Sequence, residues 1–331
     1  TILIPVYNTE KYIKRCLDSL IVSEIMDDIE ILVVNDGGKD HSVEIIQKYV
    51  DSYPETVRLI DKENGGHGST INAGIKEAKG KYFRVLDSDD WFNSTDFVKF
   101  VNRLKSEDAD LVVCDYRKEH TYNSKSEYFV YKNLEDRKCY CFDDIDLKIL
   151  EGEYFVMATS TYKTEILRTS GLKMLEKTFY VDMQYNVVPM TKVETFTYYH
   201  LDIYRYFIGR DDQSVNEKVM IKRIDQQIRV NKLMIDYLGE QKGLSKYLRK
   251  YMISYLTIIM TVSSVMMMRS GTEENLEKKN DLWRYLKQED AADYFRIRHG
   301  IFGTVMSSKS KPGQKIAVYA YKVAQKLYGF N

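Results

Sequence analysis

A doubly wound, mostly parallel α/β sheet with helices on both faces, followed by a mainly helical domain, is the fold class that this sequence predicts. Three observations carry the prediction. From Ile2 to Cys114 short apolar runs alternate with amphipathic stretches, the rhythm of strand–helix–strand units. From Asn216 onward the pattern is helical almost throughout. Only 4 Pro interrupt the 331 residues, so the elements are long. At about 150 residues per domain the length makes two units. The change of pattern near Asp212 divides them into residues 1–212 and 213–331.

Taken in order, Ile2–Pro5, Ile29–Val34, Val57–Ile60, Tyr82–Leu86 and Leu111–Cys114 are apolar runs that suit buried strands. Between them Glu10–Ile21, Ser42–Tyr53, Ser69–Ala78 and Thr95–Lys105 space their apolar residues as helices do. Tyr116–Tyr140 is polar and aromatic without a period, which suits a hairpin or an insertion. Asp143–Leu150 and Lys163–Ser170 read as short helices, and Thr195–Tyr199 and Ile203–Phe207 as two strands. Tyr251–Met268 is uncharged over 18 residues, the short limit for a membrane span. Its Ser and Thr residues, and Gly271 as a C-cap, favour a buried helix of the second domain.

Lys+Arg and Asp+Glu both number 49, and 44% of residues are hydrophobic. That balance excludes a disordered chain and a dedicated nucleic-acid binder, which carries a basic surplus. Cys16, Cys114, Cys139 and Cys141 have neither zinc-knuckle nor redox-pair spacing. Free thiols and no cationic, apolar leader make a cytoplasmic location the expectation. Ile301–Asn331 holds five Lys and no acid, interleaved with Tyr, Val, Ile and Leu. This tail suits peripheral contact with the anionic inner face of a cell membrane. A solvated terminal helix docked on its own domain is the equal alternative.

Ligands of open α/β sheets sit beyond the carboxyl ends of the strands, so the chemistry belongs in the loops there. After Tyr82–Leu86 comes Asp87-Ser88-Asp89-Asp90. Three carboxylates in four residues repel one another, and one Asp would suffice to cap a helix. A hard divalent cation, Mn²⁺ or Mg²⁺, neutralises such a cluster together with substrate phosphates. The second strand ends in Asn35-Asp36-Gly37-Gly38, where Asp36 suits the imide N–H of a uracil; an ordinary Asx turn is the plainer reading. Pro5-Val6-Tyr7-Asn8 ends the first strand with a ring placed for a base. Asn64-Gly65-Gly66-His67-Gly68-Ser69 is a flexible loop opening a helix, as suits a phosphate or nucleoside. P-loop, dinucleotide, zincin and hydrolase signatures are all missing.

Together these motifs resemble the family 2 inverting glycosyltransferases of the GT-A fold, over Ile2 to about Ser214. The opening strand, the Glu30–Gly38 strand with Asp36, Asn72-x-Gly74 before Ala78–Tyr82, and Asp87–Asp90 match in order. Ile71 stands where the family often has Arg, and Val181 where it usually has Glu. The resemblance implies Asp87 on the ribose and the metal, Asp89 on the metal, and Ser88 and Asp90 at the nucleotide-sugar. It also implies Arg210 or Gln213 over the pyrophosphate, with His67 as a substitute contact, and Asp182 as general base. The implied function is inverting transfer of one sugar from a UDP-sugar to a glycan or lipid-linked acceptor in cell-surface polysaccharide synthesis. The alternatives are a sugar-nucleotide pyrophosphorylase and a non-catalytic nucleotide-sugar-binding module.

Overall fold

The computed structural model describes residues 1–120, 125–142, 154–209, 213–308, 312–313, 315–319 and 321. The chain forms two units, Thr1–Gly209 and Arg210–Asn331.

The first unit is built on one mixed sheet. Its strands are β1 (Ile2–Val6), β2 (Ile31–Asp36), β3 (Val57–Lys62), β4 (Tyr82–Val85), β5 (Trp91–Phe92), β6 (Leu111–His120), β7 (Ser126–Phe129), β8 (Cys139–Cys141), β9 (Ser160–Lys163) and β10 (Thr195–Ile208). They lie in the order β3-β2-β1-β4-β9-β6-β10-β5, with β7 beside β6 and β8 beside β10. The first four run parallel, and β1 and β2 are buried along their whole length. The expected parallel sheet is therefore present, but β5, β7, β8 and β9 add antiparallel partners. These strands are short or polar, which is why no apolar run announces them.

Helices α1 (Ile13–Asp18), α2 (Ser42–Ser52), α3 (His67–Glu77) and α4 (Ser94–Leu104) fall within or beside the expected stretches. Among them α1 is much shorter than Glu10–Ile21: Tyr12 leaves the helical region with φ of −121°, and the Leu20 N–H turns back to the Leu17 carbonyl. The hairpin expected in Tyr116–Tyr140 is β6–β7. Lys163 closes β9, and the helix α5 (Thr164–Thr169) follows; Asp143–Leu150 lies outside the described residues. Thr195–Tyr199 and Ile203–Phe207 are one strand, β10, whose pairing with β6 shifts register around Asp202. The Asp202 N–H donates to Asp96, and its carboxylate pairs with Arg117 and Arg205. A charged residue at a bulge reads as a gap in sequence yet keeps the strand continuous. Cys16 and Cys114 are buried, and burial pushes the Cys114 thiol up to about 12.

Arg84 stands fully buried at the centre of β4, 1% exposed. It bonds Thr161 Oγ1 at 2.8 Å and the carbonyls of Ala158 and Thr159. Its guanidinium also lies over Phe92 and Phe100. One arginine thus ties β4 to β9 and to the turn before it.

The second unit is helical: α7 (Glu217–Lys222), α8 (Ile224–Glu240), α9 (Lys246–Arg269), α10 (Glu273–Glu289), α11 (Ala291–His299) and α12 (Ile301–Met306); α6 belongs to the first unit and is described below. Helix α9 is long and apolar enough to cross a membrane, but two-thirds (67%) of its most apolar stretch is buried within the protein. Its polar residues meet partners there: Asn231 donates to Ser263 at 2.8 Å and the Trp283 indole to Ser264 at 3.0 Å. Gly271 follows the helix with φ of 72°, the left-handed turn expected of it.

Arg84→Ala should lower the stability of the first unit by about 3 kcal/mol or more, since it leaves buried carbonyls unpaired and opens a cavity. Urea unfolding would show a lower midpoint at unchanged slope; an unchanged midpoint would contradict this account of β4.

Candidate active site

Asp36 ends β2, and the parallel register sets Lys62 of β3 directly opposite it. Lys62 Nζ lies 2.8 Å from Asp36 Oδ1, which also accepts from the Gly65 N–H at 2.9 Å and from Ser69 at 3.2 Å. Asp36 Oδ2 accepts from the Gly66 N–H at 2.7 Å. Three donors thus crowd Oδ1 while one meets Oδ2, and a carboxylate oxygen accepts about two. Asp36, 3% exposed, therefore fastens the glycine loop ahead of α3.

That loop is held rather than flexible. The Lys177 N–H donates to the Gly65 carbonyl at 2.6 Å, and a Cβ on Gly68 would stand 2.2 Å from the Leu175 carbonyl oxygen. Gly66 has φ of 83°, so only glycine sits there without strain. Asn72 pairs with the Met174 backbone through both of its amide atoms, at 2.9 and 3.0 Å. Gly74 lets α3 lie against Leu3. The Asn72-x-Gly74 motif is thus explained by packing.

His67 begins α3, and its Nε2 lies 3.0 Å from Asp87 Oδ1. Burial alone would lower the pKa of the imidazole. The Asp87 hydrogen bond and the charges of Asp87, Asp182 and Asp89 outweigh it and raise the pKa. The loop pinned by Asp36 thus delivers the His67 imidazole to the Asp87–Asp90 turn.

The turn is anchored from three sides. Asp90 is fully buried; Tyr204 of β10 donates to its Oδ2 at 2.6 Å and the Phe207 N–H to its Oδ1 at 2.8 Å. Burial, then the neighbouring Asp89 and Asp87 charges, push its carboxyl well above the ordinary range. Asp90, expected beside the sugar, is instead an inward anchor with both oxygens occupied. From α1, Arg15 donates to the Asp89 carbonyl at 2.9 Å. Its guanidinium sits 3.7 Å from the Trp91 ring and 4.4 Å from that of Phe207. Ser88 is buried, whereas Asp87 and Asp89 are half-buried.

Asp182 opens α6 (Asp182–Val187), whose cap residue is Val181. The capping role is therefore not Asp182's. Its side chain reaches solvent, yet the surrounding protein raises its carboxyl above the usual Asp range, against its own N–H and the His67 charge. Just before it, Lys177 and Tyr180 hold φ of 50° and 65°, a left-handed conformation that costs about 1 kcal/mol or more for such residues. The Tyr206 phenol borders the same group: burial and the charges of Asp90, Asp87, Asp182 and Asp89 raise its pKa.

The structure thus gathers His67, Asp87, Asp89 and Asp182, with Asp36 one loop away. Pro5 is buried in β1 and Tyr7 is 54% exposed at its end. Gln213 is a buried residue of the second unit, and Arg210 lies outside the described residues. Sequence reasoning missed Arg15, Lys62, Tyr204 and Tyr206. Lys62 was within reach, standing at the end of the strand next to Asp36; the others depend on packing. Among the described residues no three His, Cys, Asp or Glu side chains form a metal cage. A Mg²⁺ or Mn²⁺ ion shared with a diphosphate needs only one or two carboxylates, and Asp87 and Asp89 fit that requirement.

Carboxylates gathered where parallel strands end, on a sheet with this strand order, define a GT-A glycosyltransferase. Residues 1–168 match the family model "Glycosyl transferase family 2", and the chain belongs to that family. It is 39% identical over 126 residues to the putative glycosyltransferase EpsH of Bacillus subtilis, covering 38% of this chain and 36% of that one. It is 43% identical over 91 residues to the chondroitin synthase of Pasteurella multocida, 28% of this chain and 9% of that one. The chain thus spans between 9% and 40% of the length of the curated relatives it matches. S. aureus TarS 1–349, solved in complex with UDP-GlcNAc, shares the fold with a TM-score of 0.68 at 15% identity over 98% of this chain and 91% of that one. The mannosyltransferase PcManGT of Pyrobaculum calidifontis, solved with GDP-Man and Mn²⁺, gives 0.53 at 14% identity over 100% and 87%. These matches favour a glycosyltransferase over a pyrophosphorylase.

Tyr204→Phe should cost about 1–3 kcal/mol, because buried Asp90 loses a donor and the Asp87 N–H, 3.3 Å from the phenol oxygen, loses its acceptor. Denaturant unfolding measures the loss; a variant as stable as the parent would remove Tyr204 from the anchor.

Proposed function

We propose that the chain transfers a single sugar, with inversion, from a UDP-sugar to a hydroxyl of a glycan or lipid-linked acceptor. The setting is synthesis of a bacterial capsule, exopolysaccharide or wall polymer on the cytoplasmic side. The carrying observation is the family 2 match of residues 1–168, within which Asp87 and Asp89 stand half-buried on one turn and His67 Nε2 lies 3.0 Å from Asp87. The UDP-GlcNAc named for the TarS structure supports a UDP donor and a hexosyl or N-acetylhexosaminyl group.

In this reading the remaining acceptor position of Asp36 Oδ2 takes the uracil N–H, Tyr7 lies against the base and Asp87 meets the ribose. Asp87 and Asp89 hold Mn²⁺ or Mg²⁺, which when bound neutralises the diphosphate leaving group. The His67 imidazole stands beside them as a further contact to the diphosphate, substituting for the Arg that Ile71 replaces. Asp182 accepts the acceptor's hydroxyl proton as that oxygen bonds to the anomeric carbon. The anomeric C–O bond breaks on the opposite face, and its electron pair leaves with UDP.

Asp182→Asn keeps the side-chain volume and cannot take the proton. Transfer should fall by about 10² or more while UDP-sugar binding stays normal. Near-parental transfer in this variant would move the base elsewhere. Asp89→Ala, or EDTA on the unaltered chain, should abolish UDP release from UDP-GlcNAc. Full activity in EDTA would overturn the metal assignment, and UDP-sugar binding with no UDP release under any condition would identify a binding module.

A further inference from the structure

The second unit carries an uncommon combination on its outer surface. Phe295 is 63% exposed, Phe302 52%, Ile316 60% and Tyr319 70%. These are four of the eight large apolar side chains left exposed among the described residues. They come from three successive helical pieces, α11, α12 and residues 315–319. Each piece already has a buried side: Ile297 in α11, Met306 in α12 and Ala317 in the third. The exposed residues are therefore a second, outward set and not part of the core. Gly303 brings α12 so close to α11 that a Cβ would stand 1.8 Å from the Ile297 carbonyl oxygen, which fixes these two outward faces relative to each other. The Phe295 and His299 rings lie 4.1 Å apart.

The sequence that carries them is basic. After Asp293 the sequence has seven Lys and Arg and no Asp or Glu. Arg296 remains 60% exposed although it reaches Asp293, and Lys315 is exposed. Scattered apolar residues on a surface need no explanation. Exposed rings and aliphatic side chains along a segment that also exposes Arg296 and Lys315 match the interface of an anionic bilayer, where apolar groups enter the headgroup layer and cations meet lipid phosphates. A second copy of the chain fits less well, because a symmetric pair would bring the same cations face to face.

We infer that these outward side chains of α11, α12 and residues 315–319 (Phe295, Phe302, Ile316 and Tyr319) dock onto an anionic lipid surface. The inference rests on this surface alone and stands apart from the transfer reaction. It extends the membrane element upstream of Ile301–Asn331 to α11, with Arg296 and Arg298 among its cations.

Sedimentation of the full chain with vesicles of phosphatidylcholine, with or without phosphatidylglycerol, tests it. The chain should sediment with the phosphatidylglycerol vesicles and be released as salt rises, since exposed charges are screened over about 10 Å at 0.1 M. Joint replacement Phe295→Ser, Phe302→Ser, Ile316→Ser and Tyr319→Ser should weaken that partition by about tenfold or more. Because all four side chains are exposed, the variant should keep its circular dichroism and UDP binding. Three results would overturn the inference: an unaltered chain that stays in solution, a variant that sediments as its parent does, or a lipid-free dimer that the variant abolishes. The last would make the face an interface between copies.

Discussion

Three carboxylates in four residues at the end of β4 are the electrostatic constraint around which the first unit is organised. Left alone at such spacing they repel, and burying one of them is costly. The structure answers each differently. Asp90 is taken inside and given two donors from β10. Asp87 faces the imidazole of His67. Arg15 brings a cation to Asp89, stacked between two rings so that its position is set by packing; such stacking is worth about 0.5–2 kcal/mol. Asp87 and Asp89 are thereby left half-exposed on a backbone that cannot drift.

The second fixed point is Asp36. Its oxygens order the glycine loop, the loop starts α3, and α3 sets His67 against Asp87. The carboxylate at the end of β2 and the acidic turn at the end of β4 are thus linked through covalent chain and four short hydrogen bonds. Segment 174–178 packs against the same loop and leads directly to Asp182, so the carboxylate on α6 is referenced to the same origin.

The legible part of this fold was what apolar continuity reveals. Strands buried on both faces, such as Ile2–Val6 and Ile31–Asp36, read plainly, because nothing polar can stand in them except at their ends. Trp91–Phe92 and Ser160–Lys163 did not, since a two-residue strand has no period and Ser-Thr-Tyr-Lys has no apolar run. β10 looked broken because Asp202 sits at a bulge. In the site, the acids and His67 were visible as residue types in loops after strands. Their directions were not: that Asp90 turns inward, and that Arg15 and Tyr204 reach the turn, depends on helix rotation and strand register.

Lys177 and Tyr180 give the unit a reserve of stability that it does not use. Either position would relax with glycine, by an amount on the order of the left-handed cost itself. Residues 177–180 also carry the chain from the glycine loop into α6. Pressure for heat resistance would thus find its easiest gains beside Asp182, where a looser backbone does the most harm. Tolerance of the family to harsher conditions would then have to come from the helices of the second unit or the outer strands, and the segment before α6 would remain a weak place that adaptation leaves alone.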